Sequence, residues 1–181
     1  MNKLALAVLA SVVVTGLAAP ARAAQGVKRV GVQAGFAGMA SEGSFAGFGG
    51  GVRGGWSITD AWTLGVDATV SSNQVADKGG RSLVFVQSAG VTYALDIIQI
   101  VPYAGLYAGL YELTGGGLPK TQLKGGAQLL LGLDWVYSRD FTFGLELRAH
   151  ALPGDFAQQP ENPTPFYATS MLKAEYTWGW F

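Results

Sequence analysis

Seven ionisable residues stand among small or apolar neighbours: Arg53, Asp67, Asp134, Glu146, Arg148, Lys173 and Glu175. Four acids and three bases could do acid–base chemistry, form ion pairs or line a path for ions. The other candidate is His150, the one histidine of a chain without cysteine. One imidazole and no thiol exclude the multi-ligand His and Cys sets of zinc sites. Covalent catalysis would need a nucleophile beside a base, with a third group orienting that base. The neighbours of His150 in "RAHALPG" include no serine in reach along the strand, so it is read as a satisfied interior histidine.

Three short patterns match known motifs by letters alone. Gly49-x-Gly51-x-x-Gly54 copies a dinucleotide fingerprint, but that motif must close a strand and open a helix. "GGGLPKT" lacks the glycine before lysine of a phosphate loop, and Asn162-Pro163-Thr164 fails the glycosylation rule at its proline. No single-sign charge block suggests nucleic acid. No metal, cofactor or catalytic residue is expected.

What must position the seven charges is a period of two. In "WTLGVDATVS", Trp62, Leu64, Val66, Ala68 and Val70 share one face, and Thr63, Gly65, Asp67, Thr69 and Ser71 the other. Alternation of this kind is the mark of a strand. It recurs in rows beginning at Val30, Phe48, Leu83, Leu129, Phe141 and Phe166, with Gln87 the one polar break in its row. In "IVPYAGLYAGLYEL", Leu106 and Leu110 are assigned outward and Tyr103, Tyr107 and Tyr111 inward.

Eight strands of about 10 to 15 residues result, joined alternately by tight turns and long loops, the pattern of a transmembrane barrel. The turns lie near Thr59-Asp60-Ala61, Asp96 to Ile98 and Ser138-Arg139-Asp140; the loops span 38–46, 73–81, 113–124 and 152–164. The expected fold is all-β: an eight-stranded antiparallel up-and-down transmembrane β-barrel over residues 24–181. A turn at Thr59-Asp60-Ala61 sets Arg53 opposite Asp67. "ITDAWTLGVD" (58–67) and "YSRDFTFGLE" (137–146) align without gaps, suggesting a reused hairpin.

A soluble barrel would also alternate, with its apolar face inside. Here the polar face is mostly Gly, Ser, Thr and Ala, which suits the narrow lumen of an eight-stranded barrel. Only 13% of residues are charged while 49% are apolar, about half the usual charged share. Aromatics gather near the tight turns: Trp56, Trp62, Tyr93, Trp135, Tyr137, Phe141, Trp178 and Trp180. A looser set (Phe36, Phe45, Phe48, Phe85, Tyr111, Phe166) lies towards the long loops. Two girdles around an apolar band fit a bilayer. An even strand count lets the first and last strands pair, removing the edges a bilayer forbids. Unpaired charge inside would be costly, so a layered salt-bridge network plugging the lumen is expected from the seven charged residues.

The N-terminus reads as a leader. Lys3 precedes the apolar run "LALAVLASVVVTGLAA", and Ala21-Arg22-Ala23 fits the cleavage rule, so residues 1–23 are taken as a signal peptide. Without cysteine, the exported fold cannot rely on disulfides.

With its leader, the turn-plus-strand "ITDAWTLGVDA", the strand "VPYAGLYAGLY" and the aromatic ending "AEYTWGWF", the chain resembles the small OmpA-like eight-stranded outer-membrane β-barrel proteins of Gram-negative bacteria. That resemblance implies residence in the bacterial outer membrane, contact with its lipid, and insertion by the barrel-assembly machinery, which reads an alternating final strand ending in an aromatic. In this chain Trp180 is the in-phase aromatic and Phe181 an extra residue. No peptidoglycan-binding domain is expected to follow the barrel. The functional expectation is a monomeric, non-enzymatic outer-membrane barrel with a plugged lumen, serving the envelope or presenting its loops. A narrow porin is the alternative, and a secreted soluble ligand-binding barrel the third reading.

Overall fold

Alternating side chains, with little charge on either face, can be satisfied by a sheet closed on itself. The computed structural model describes residues 25–40, 45–74, 80–95, 99–115, 121–152 and 166–179, so the leader assigned to 1–23 lies outside the described residues. Eight strands form in chain order: β1 (Lys28–Ala40), β2 (Phe45–Ser57), β3 (Trp62–Gln74), β4 (Arg81–Ala94), β5 (Ile100–Gly115), β6 (Gln122–Val136), β7 (Phe141–Ala151) and β8 (Phe166–Trp178). Each pairs antiparallel with the next, and β1 pairs with β8 from Lys28↔Trp178 to Ala40↔Phe166, closing the barrel.

Two turns set registers by the same local chemistry. The N–H of Ile58 donates to the Trp62 carbonyl at 2.8 Å, and that of Tyr137 to Phe141 at 3.1 Å. The Thr59 hydroxyl accepts from the Trp62 N–H, and the Ser138 hydroxyl from Phe141. Such hydroxyl-to-backbone bonds stabilise a turn without any tertiary partner. The first turn sets Arg53 opposite Asp67.

Apolar rows face outward: Phe36 is 72% exposed, Leu172 68% and Leu106 63%. Tyr103, Tyr107 and Tyr111 face inward and are buried. Glycines opposite make room for these rings. A side-chain carbon at Gly65 would strike the Tyr107 hydroxyl, and one at Gly132 the Tyr103 ring.

Three details differ from the sequence expectations. The strands run further than read, so Gly38, Gln74, Gly115 and Gln122 belong to β1, β3, β5 and β6 rather than to loops. Backbone pairing such as Gly38↔Ala46 and Leu113↔Gln122 needs no apolar side chain to continue. Residues 41–44, 75–79, 116–120 and 153–164 of those loops, and the expected turn at Asp96 to Ile98, lie outside the described residues. Tyr111 is wholly buried and belongs to the interior, not to an outer girdle, because its parity along β5 matches Tyr103 and Tyr107. The interior is also not uniformly small and polar, since Val84 and Val86 point inward from β4 and Leu130 from β6.

Candidate functional site

The seven charged residues all project into the lumen, where six are buried and Arg53 has a side chain only 9% exposed. They form one chain of alternating sign. Asp67 receives Arg148 at 2.8 Å, and Arg148 also bonds Glu146. Glu146 receives Arg53 at 2.8 Å, and Arg53 reaches Glu175 at 2.9 Å. Lys173 bridges Glu175 at 3.1 Å and Asp134 at 2.9 Å. Every base thus serves two acids, and four carboxylates against three bases leave a formal charge of −1. Although Arg53 stands opposite Asp67 in the ladder, the two make no ion pair. Arg148 and the Ser88 hydroxyl, at 3.0 Å, occupy the Asp67 carboxylate instead.

Neutral groups complete the shell. The Tyr103 hydroxyl donates to Glu146 at 2.7 Å, while its ring lies under Lys173 at 4.4 Å. Arg148 donates to Gln33 at 3.1 Å and to Gln128 at 3.3 Å. With Gln33 on β1, Arg53 on β2, Asp67 on β3, Ser88 on β4, Tyr103 on β5, Asp134 on β6, Glu146 on β7 and Lys173 on β8, all eight strands contribute. The repeated hairpins explain part of this. Asp67 and Glu146 hold the same place in the two aligned segments, and both are bonded by Arg148. Sequence reasoning did not select Tyr103, Ser88, Gln33 or Gln128 as partners, although each sits at an inward position.

Towards the long-loop ends the interior changes character. His150 sits between the Tyr111 hydroxyl at 2.9 Å and Thr169 at 3.4 Å, with the Tyr167 ring 4.5 Å from its own. Tyr167 in turn bonds Ser71 at 2.9 Å. Around these rings Ala37, Val84, Val86 and Leu152 pack into an apolar cluster. Towards the tight turns lies a cavity of about 460 Å³, walled by Thr63, Thr92, Thr142 and Thr177 and reaching Arg53, Tyr103 and Lys173. Its walls offer hydroxyls and charge but no nucleophile paired with a base. No group of three or more His, Cys, Asp or Glu residues suited to a metal occurs among the described residues.

Outside, aromatics ring the tight-turn end. Trp62 packs on Tyr93 at 5.0 Å between centroids, Trp135 on Tyr137 at 5.6 Å, Phe141 on Tyr176 at 5.3 Å, and Tyr176 stacks on Trp178 at 6.0 Å. Trp56 is 54% exposed on β2. Near the other end Phe36 meets Phe48 edge-on at 6.0 Å. Trp180 and the side chains of Phe45 and Phe166 lie outside the described residues.

No family model and no curated protein matches the sequence. Solved structures do match the fold. Neisserial surface protein A superposes with a TM-score of 0.66 at 20% identity, over 84% of this chain and 98% of that one. The chain has the fold of a small outer-membrane barrel. Ail, the attachment invasion locus protein of Yersinia pestis, gives 0.58 at 13% identity over 85% of this chain and 99% of its own. OprG, an outer membrane protein of Pseudomonas aeruginosa, gives 0.57 at 13% identity over 87% and 98%.

Proposed function

We propose that the chain is a non-enzymatic integral barrel of the bacterial outer membrane whose lumen is closed to solutes, and which serves the envelope or presents its loops at the surface. The observation carrying this reading is the unbroken seven-charge chain across the lumen, with an apolar layer stacked beyond it towards the long loops. A solute entering from the tight-turn side would meet Arg53, Tyr103 and Lys173 at the floor of the cavity. To go further it would have to part buried ion pairs, then cross a layer of valine, tyrosine and leucine. Breaking one buried pair costs about 3–5 kcal/mol, so steady conduction is opposed twice over.

Membrane residence is supported by the inverted surface. Large apolar side chains cover the outside from Val32 to Trp178, far more than a soluble monomer leaves in water. The aromatics at the tight-turn end fit an interfacial belt, and the buried charges fit a dry interior. Export through a leader removed near Ala23, contact with outer-membrane lipid and insertion by the barrel-assembly machinery belong to the same reading. Neighbours of this fold include one named a surface protein and one named for attachment, which agrees with a surface role.

Fractionation with heat-modifiable gel migration tests the membrane reading. Recovery in the outer-membrane fraction, with faster migration before boiling, is expected; release into buffer overturns it. Planar-bilayer recording tests the closed lumen, where a stable ohmic step would favour the narrow pore instead.

A further inference from the structure

Gln87 is the feature that the proposed function leaves unused. It lies midway along β4, seven residues from Ala94 and six from Arg81, and it faces outward, exposed. Its ladder partners are Ala68 on β3 and Leu110 on β5, both apolar and both outward. Among the described residues its carboxamide has no hydrogen-bond partner. Around it the outer wall dips into a shallow concavity of about 750 Å³, bordered by Val66, Ala68, Phe85, Ala108 and Leu110.

An amide with no partner is costly in hydrocarbon, and Gln87 falls between Phe85 and Tyr93, inside the apolar band that the two girdles bound. From the proposed membrane residence and this geometry, we infer that a second copy of the chain docks on the β3–β5 wall, with Gln87 on the symmetry axis. Two copies inserted the same way round are related by a two-fold along the membrane normal. That operation presents each residue to its own equivalent at the same depth. Most side chains gain nothing specific from meeting themselves. A carboxamide carries both a donor and an acceptor, so two of them close a reciprocal pair of hydrogen bonds. Ala68, Ala89 and Ala108 present only methyl groups beside Gln87, which lets the walls approach there, with Phe85 and Leu110 as the larger side chains at the edge. The concavity gives each copy room for the carboxamide of the other.

The absence of native cysteine makes the test clean. Ala89→Cys, outward beside Gln87 and leaving its carboxamide intact, and Leu172→Cys, outward on the opposite wall, are refolded into phosphatidylcholine vesicles at low protein density. Insertion is verified by gel migration before copper–phenanthroline oxidation. The A89C protein is expected to form a covalent dimer about tenfold faster than L172C, in line with a polar contact between membrane segments. In energy-transfer measurements between terminally labelled copies, Gln87→Leu should weaken association several-fold while leaving the barrel folded. Equal oxidation rates, or undiminished association of Q87L, overturn the dimer and leave the membrane reading standing. A protein that does not insert overturns the membrane reading itself, and the dimer with it.

Discussion

Arg53 stands opposite Asp67 in the β2–β3 ladder but pairs across the lumen with Glu146, at 2.8 Å, and with Glu175, at 2.9 Å. A double-mutant cycle in bilayer unfolding experiments should therefore find most of the coupling on the far wall. Arg53→Met with Glu146→Gln is expected to show about 1–3 kcal/mol of interaction, and Arg53→Met with Asp67→Asn clearly less. The opposite ranking would mean that ladder proximity sets the pairing.

Arg148 holds the largest share of the interior, since Asp67, Glu146, Gln33 and Gln128 all accept from it. Arg148→Met leaves two buried carboxylates short of a cation. A loss of about 3–5 kcal/mol is expected in denaturant titrations of the vesicle-bound protein. A change below about 1 kcal/mol would show that the acids are hydrated or protonated, and that the chain of pairs contributes little.

Gly65 lies where any side chain must strike the Tyr107 ring. Gly65→Val is expected to destabilise by about 1–3 kcal/mol through overpacking. Adding Tyr107→Phe, which removes the hydroxyl nearest the new carbon, should recover part of that loss. Full additivity of the two changes would place the strain elsewhere.

If two layers close the lumen, opening one is not enough. Arg53→Ser with Lys173→Ser should leave planar-bilayer conductance at background, because Val84, Val86, Tyr111 and Tyr167 still fill the bore. Adding Val84→Ser and Val86→Ser should produce measurable current. Conductance in the first pair alone would assign the whole seal to the ions.

Much of this molecule is legible in its sequence. The period of two gives the facing of Tyr103, Tyr107, Leu106 and Leu110, and Thr59-Asp60-Ala61 gives the Arg53↔Asp67 register, because both are local properties of the chain. The partner of Arg53 is not local. It depends on how eight tilted strands stagger around the closure, which no single strand encodes. The inward valines of β4 are masked in the sequence for a related reason. In "SLVFVQ" both faces are apolar, so alternation fades where the interior turns from ionic to apolar. That local loss of contrast was itself the signal. Strand ends at Gly38, Gly115 and Gln122 read as loops because glycine and polar residues favour turns, while a ladder needs only backbone groups.

The lumen ion pairs between strands join no neighbours. Asp67–Arg148 spans β3 to β7, Arg53–Glu146 β2 to β7, Arg53–Glu175 β2 to β8, and Lys173–Asp134 β8 to β6. Ladder hydrogen bonds act only along the circumference, and a hoop tied only along its rim can be squeezed flat. The lumen charges are struts set across that hoop at several angles, one of them close to a diameter. Flattening the tube in any direction must stretch one strut or crush another, so in the proposed membrane setting lateral pressure would meet a braced ring rather than a soft one.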